Sequence, residues 1–432
     1  MTEEQKKKRA TYHLWTFGFS KLIASFGGSV YVFGISLYIL TLTGSAMSFS
    51  INLICTILPR TLLAPFAGYI ADRYSKKAIV VTAQGLSVLI VSGLLLYSLQ
   101  IGLSLGIIYL ATVLLTISST FTSLTFTASI TGLVDPPRIQ RASAINQMTI
   151  SLSSIGGPVL GGILFAFAPF EWFLLIFIAG FAVAVLLEAT MNFKLFLKEN
   201  QELGEIPESM KQSMLSGFRY IKANPAIGRV ITMGLFVNFF FGALIVGMPY
   251  VIVELLQIES QHFGMIEAFL AGGMLLGGLF FSIHKQLKFP LNSARNGLLL
   301  VSLVLAMFTV PLLFQMSYMS MVFFYSAITL SLGVCMSFIN TPLGVMMQQL
   351  VEDGYKGRVF GVMETVAQAL VPLSILLFGM LFEWVGAIAV LLPSSVGLFI
   401  ITLIMLRRKV LAIIHPELLK GEDEIMKEGV SL

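Results

Sequence analysis

Ionisable side chains inside long apolar runs are the residues of this chain best placed to do chemistry, and they are few. Glu267 lies in the apolar run 261–284 and Glu364 in the run 358–382. In helical form each carboxyl sits about 8 to 10 Å inside the end of its run, at 1.5 Å per residue. A carboxyl at that depth can hold a proton at neutral pH and give it up when its surroundings change. Arg60, in the run 46–71, is about 18 Å deep counted from Asp72, where a bare guanidinium costs about 2.5 to 3.5 kcal/mol. It needs a partner, an acid on a neighbouring span or else backbone carbonyls. Lys21 is near enough to the end of its run to snorkel to water, and Glu171, Glu188, Glu254 and Glu383 all lie near run ends. His13, His262, His284 and His415 fall at run ends or in tails. No metal-ligand spacing, nucleophile triad or phosphate loop appears. The chemistry on offer is therefore proton exchange, with no cofactor.

The elements that hold these residues follow from composition. The chain has 432 residues, 56% hydrophobic and 11% charged, with a mean hydropathy of +0.90; a soluble domain carries roughly 25% charged residues. A water-soluble enzyme, a disordered chain and a disulfide scaffold are excluded, the last because Cys55 and Cys335 both sit inside apolar runs. Apolar runs recur at 14–40, 46–71, 77–99, 103–130, 142–168, 171–193, 227–253, 261–284, 294–316, 318–345, 358–382 and 386–406. Each is long enough for a helix to cross a hydrocarbon core of about 30 Å. The expected fold is an all-α membrane protein with twelve transmembrane helices. The run 14–40 is too long for a secretory signal and is kept as the first span.

The net charge of +5 is a matter of topology. Connections after odd-numbered spans contain no Lys or Arg. All the basic residues except Lys21 and Arg60 fall in the tails or in connections after even-numbered spans. By the positive-inside rule both termini, 1–13 and 407–432, are expected in the cytoplasm, which leaves a nucleic-acid partner nothing to explain. The long polar connection 194–226 divides the chain into six-helix bundles at 14–193 and 227–406. Within it Met210, Met214, Phe218 and Ile221 recur at helical spacing opposite Lys211, Arg219 and Lys222, the pattern of an amphipathic helix on the membrane surface.

The two halves echo each other: Asp135, Arg141 and Gly162 correspond to Glu352, Arg358 and Gly379 at a constant offset. Such pseudo-symmetric repeats are how rocking-bundle transporters are built. The connection between spans 2 and 3 reads Gly68-Tyr69-Ile70-Ala71-Asp72-Arg73-Tyr74-Ser75-Lys76-Lys77. It resembles the G-x-x-x-D-R-x-G-[RK]-[RK] signature of the major facilitator superfamily, with Ser75 in place of the second glycine. Physically, a small residue at Gly68 would let helices approach, and Asp72, meeting a helix N-terminus or an arginine of the other half, would act as a latch at the cytoplasmic edge in a motif with Arg73, Lys76, Lys77, Arg141 and Arg358. Span 5 carries Gly156-Gly157-Pro158-Val159-Leu160-Gly161-Gly162, similar to the antiporter motif of the family's exporters. Gly157 and Gly161, one turn apart, make a groove for a neighbouring helix, and Pro158 permits a bend. Leu58-Pro59-Arg60 and Lys356-Gly357-Arg358-Val359 further resemble the macrolide-efflux and enterobactin-exporter branch. The resemblance departs from the family in three places. Span 4 has no arginine, Gly28 stands where relatives often carry an acid, and the second copy of the loop signature, Gly278 to Lys285, has lost its acid.

By analogy with the family, span 2 lies against span 11, which makes Glu364 the partner of Arg60, in an ion pair that breaks on protonation or in a static one, and spans 1, 4, 7 and 10 line a cavity. They would contribute Tyr31, Ser119, Thr122, Ser123, Asn238, Phe240 and Asn340, with helix packing as the alternative role of each. Such walls suit an amphiphilic small molecule. The resemblance implies a proton-coupled exporter, monomeric and in contact with membrane lipids, in a bacterial plasma membrane. A lipid or lysolipid translocator and a non-transporting ligand sensor are the alternatives.

Overall fold

A computed structural model describes residues 2–196, 210–284, 287, 289–352 and 355–407. The helices of the first half are α1 (Glu3–Thr43), α2 (Ala46–Arg73), α3 (Lys76–Gln100), α4 (Leu105–Ala128), the short α5 (Ile130–Leu133), α6 (Pro136–Phe167) and α7 (Phe170–Thr190). Those that follow are α8 (Met210–Ala223), α9 (Pro225–Pro249), α10 (Ser260–Ile283), α11 (Pro290–Met307), α12 (Val310–Leu313), α13 (Tyr318–Leu350), α14 (Lys356–Gln368), α15 (Val371–Val385) and α16 (Ala387–Met405). Among the described residues 11 helices are long and apolar enough to cross a membrane, and 12 when the bent pair Pro136–Ser154 and Gly156–Phe167 counts as one span.

Local chemistry explains where the helices begin and bend. α1 starts at Glu3, so most of the expected tail 1–13 is helical and continuous with the first span. A capping box holds its start: the Gln5 N–H donates to Thr2 Oγ1 at 3.3 Å, and the Thr2 N–H donates to Gln5 Oε1 at 3.1 Å. Gly44, in the left-handed region at φ 63°, ends α1, and Ser45 caps α2 by accepting from the Ser48 N–H at 3.0 Å. The 45° bend in α6 lies at residues 154–156. Its cause is Pro158, which lacks the N–H that would reach Ser154 and crowds that residue's carbonyl. Pro249 acts similarly on α9, which runs on as a π-helical turn over Tyr250–Leu255.

The chain forms two compact units. The first takes in α1–α7 and the stretch Ile252–Ala268; the second takes in α8, α9 to Val251, and the chain from Phe269 onward. The changeover at Val251–Ile252 falls inside the π turn. The expected bundle 227–406 is thus divided, because the start of α10 packs with α1 and α6 rather than with its own half.

The core of the first unit is a cluster of Tyr31, Val91, Leu94, Ile108, Leu115, Phe173, Phe177 and Phe181. A second cluster, Leu14, Phe17, Val80, Phe126, Ile130, Leu133 and Phe193, lies at the end that carries the basic connections. Polar groups cross-link the helices between them. Asn52, fully buried, donates to Ser36 Oγ at 2.9 Å and accepts from Thr112 Oγ1 at 3.0 Å, tying α2 to α1 and α4. In the second unit α8 docks instead of lying free. Ile221 is buried, the Tyr220 ring stacks on Tyr355 at 4.7 Å, and the Tyr220 hydroxyl accepts from the Glu352 N–H at 3.3 Å. The side chains of Met210, Lys211 and Met214 lie outside the described residues.

Candidate functional site

At the basic end of the first unit, the loop signature is held by helix ends. Lys76 Nζ donates to the Ala128 carbonyl at 2.8 Å, closing the last turn of α4 where a cation is favoured. Ser75 accepts from the Ala78 N–H at 3.4 Å at a φ of −59°. The position therefore asks for a helix cap and not for glycine, which accounts for the departure from the family pattern. The Arg73 guanidinium lies over the Tyr69 ring at 4.3 Å, and that of Arg141 over Trp15 at 5.4 Å. Lys77 is exposed and close enough to His13 to act on it electrostatically.

One expectation for this region is corrected. A Cβ at Gly68 would meet nothing within 4 Å, so no helix approach among the described residues requires glycine there. Asp135, the acid of the repeated segment, is held by Arg138 at 2.6 Å, one turn into α6 from it. The side chains of Asp72 and Arg358 lie outside the described residues.

The glycines of α6 are consumed in close contacts. A Cβ at Gly156 would lie 2.7 Å from the Phe26 ring, one at Gly157 would overlap Ser29, and one at Gly161 would lie 3.0 Å from the Val30 carbonyl. This is one seam against α1. On the other side, a Cβ at Gly162 would lie 2.9 Å from the Gly264 Cα, and one at Gly264 would lie 3.3 Å from the Val159 carbonyl. Here the backbone of α6 touches the start of α10, and the Phe33 and Phe263 rings stack beside the seam at 5.9 Å. Pro158 stands between the two contacts, at the bend.

The charged residues inside the spans are distributed differently from the sequence expectation. Glu267 is half-buried on α10 and has no ion-pair partner among the described residues. Arg60 is exposed on the first unit; its expected partner Glu364 falls in α14 with its side chain outside the described residues. Lys21 and Glu188 reverse their expected roles, since neither reaches water: they are 2% and 0% exposed. Lys21 Nζ donates to Ser123 Oγ at 3.0 Å, to the Ser123 carbonyl at 3.2 Å and to Thr127 Oγ1 at 3.5 Å. Glu188 accepts from Ser20 Oγ at 2.7 Å through Oε1, while its buried Oε2 has no partner. A signal for this pair was present in the sequence: one base in span 1 and one acid in span 6, each about 8 to 10 Å inside the same end.

Of the expected cavity residues of the first unit, Tyr31 and Thr122 are enclosed by packing and Ser119 is exposed. Tyr31 is 1% exposed inside the aromatic core, 5.5 Å from Phe177 and 6.3 Å from Phe173. Thr122 is buried, its hydroxyl donating to the Ser118 carbonyl at 3.1 Å. Helical hydroxyls commonly turn back on the preceding turn in this way. Ser119 is exposed and Ser123 half-buried, one turn apart on α4. In the second unit Asn340 is exposed. Asn238 donates to the Ala367 carbonyl at 3.0 Å, bracing α9 against α14, and Phe240 packs where a Cβ on Gly397 would lie 2.6 Å from its ring.

Comparison with known proteins accords with this architecture. The enterobactin exporter EntS of Shigella flexneri is 28% identical over 346 residues, 78% of this chain and 77% of the exporter. Macrolide efflux protein A of Streptococcus pyogenes is 19% identical over 331 residues, 76% of this chain and 79% of that protein. In fold, the crystal structure of a bacterial homologue of the iron transporter ferroportin in an inward-facing state superposes with a TM-score of 0.67 at 14% identity, covering 94% of this chain and 100% of that one. The family model of the Major Facilitator Superfamily matches residues 17–375. With the loop signature, the α6 glycines and most of the spans lying in that stretch, the chain belongs to the Major Facilitator Superfamily and is a multi-pass membrane transporter, not an enzyme.

Proposed function

We propose that this protein exports amphiphilic small molecules from the bacterial cell by alternating access, driven by protons moving inward, with both termini in the cytoplasm. The observation that carries the reading is the glycine and proline face of α6, packed against α1 on one side and against Gly264 on the other. A backbone seam of this kind can close tightly, and Pro158 supplies a bend beside it. The export activities named for EntS and for macrolide efflux protein A support the direction of transport. An amphiphilic substrate is supported by α4, an apolar helix that carries the hydroxyls of Ser119 and Ser123 one turn apart, a mixture of apolar area with a few polar groups. The energy is sufficient: one charge moving down 100 mV supplies about 2.3 kcal/mol, enough for roughly a 50-fold gradient. The transporter acts as a monomer among membrane lipids, and protons take the place of a cofactor.

The test is dissipation of a pH gradient in inside-out vesicles on addition of erythromycin, an iron-free catecholate siderophore and tetraphenylphosphonium. Compound-dependent proton release in vesicles holding the protein, absent from empty ones, is the expected result. Movement of labelled lysolipid with no response to any of the three compounds would sink the reading and favour lipid translocation.

A further inference from the structure

Glu188 is a fully buried carboxylate on α7 with one hydrogen bond for two oxygens, and the nearest cation is occupied elsewhere. Lys21, on α1 beside Ser20, acts on Glu188 electrostatically. Lys21 and Glu188 form no salt bridge with each other, so they are neighbours not in direct contact. An ammonium has three protons to donate and no acceptor, and all three of those on Lys21 have oxygen partners on α4. With the lysine so engaged, an ionised Glu188 would be a buried charge with half its hydrogen bonds missing, an arrangement proteins avoid by neutralising the group.

The other charged groups around the pair do not supply a second partner. Arg60 on α2 repels Lys21. His13, about two turns of α1 nearer the basic end than the Ser20 that holds Glu188, accepts from the Asn192 N–H through Nε2 at 3.3 Å and keeps a buried, unpartnered Nδ1. Lys77 on α3 acts on His13. From α4 the pair meets the Ser123 carbonyl and the hydroxyls of Ser123 and Thr127, and from α6 Thr127 meets Asn146.

We propose that Glu188 is the proton-carrying group of the transporter, and that Lys21 switches it by moving between the α4 oxygens and the carboxylate. With Lys21 on Ser123 and Thr127, Glu188 holds its proton. A substrate touching the Ser119 and Ser123 face of α4 competes for those oxygens, and Lys21 turns to Glu188. The movement of Lys21 off α4 lets water in to the carboxyl; its O–H bond breaks, the proton passes to that water, and the ammonium and carboxylate pair directly. When substrate leaves, Lys21 returns to α4 and Glu188 takes up a proton again. Substrate and proton thus exclude each other, which is the requirement of antiport. This inference rests on the proton-coupled reading above and names the group that reading needs, on evidence from unit 1 that Glu267 and Glu364 lack.

Two measurements on the full chain in proteoliposomes test it. One is proton release driven by the three compounds named above; the other is counterflow of the same labelled compound, which needs no net proton movement. In Glu188→Gln, proton release falls to the level of protein-free vesicles while counterflow is retained, which also shows that the variant is folded. Glu188→Asp recovers part of the release. In acid-minus-alkaline infrared difference spectra, wild type shows a protonated-carboxyl band that Glu188→Gln removes and that added compound diminishes. In Lys21→Gln the band persists when compound is added, whereas Lys21→Arg restores the response. Proton release by Glu188→Gln equal to wild type overturns the role of Glu188 and leaves proton coupling standing. Counterflow without proton release in wild type overturns the coupling reading itself and the proposal with it.

Discussion

Adding one methyl group at Gly162 tests whether the seam between α6 and the start of α10 is a true backbone contact. The new Cβ would stand 2.9 Å from the Gly264 Cα and 3.6 Å from the Ser260 carbonyl. Carbon atoms rest at about 3.5–4.0 Å, so the two segments must part by about 0.6–1.1 Å. Neither side has a flexible side chain to swing away, since backbone meets backbone. Overpacking of this kind costs about 1–3 kcal/mol, equivalent to about 5- to 150-fold in the population of the state that holds the contact. Gly162→Ala is expected to lower the unfolding midpoint by about 2 °C or more, read with a thiol-reactive dye on the native Cys55 and Cys335, and to slow transport in proteoliposomes. Gly68→Ala, whose Cβ meets nothing within 4 Å, is the control and leaves the midpoint unchanged. Gly162→Ala combined with Gly264→Ala should cost less than the sum of the two, because the first methyl opens the gap that the second would fill. Wild-type midpoint and transport in Gly162→Ala would refute the close contact and remove the packing argument for the α6 motif.

Three further substitutions follow from the same geometry. Ser75→Ala removes the cap of α3 and is expected to cost about 1 kcal/mol, whereas Ser75→Gly costs only a few tenths; equal losses in thermal unfolding would mean the position does not act as a cap. Asn52→Leu breaks two buried hydrogen bonds linking α1, α2 and α4, with an expected loss of about 0.6 to 1.7 kcal/mol, checked by unfolding in mixed micelles. Pro158→Ala restores an N–H able to reach Ser154 and should straighten α6 from its 45° bend. A spin-label pair on either side of residue 155 would lengthen its separation, and an unchanged distance would assign the bend to packing instead.

The sequence by itself determined the membrane class, the run boundaries and the basic connections, because burial in hydrocarbon demands about 20 apolar residues per helix whatever lies around it. It also determined the two motifs, since the glycine and proline spacing of α6 and the Asp-Arg-Lys-Lys loop are local patterns. Which way each residue faces was decided only by the tertiary structure. In a soluble helix one apolar stripe marks the inner face. In a membrane helix lipid and protein neighbours are both apolar, so α7 and α16 read almost uniformly around their circumference. Hence nothing in the local sequence announced that Tyr31 would enter the aromatic core, that Gly68 would face open space, or that Ser75 would serve as a cap. Depth along the span was legible, and it placed Lys21 and Glu188 near one end. Whether that depth meant contact with water or enclosure depended on the packing of α1 against α4 and α7, three segments far apart in the chain. Their packing closes over both residues and turns two apparently snorkelling side chains into a buried pair.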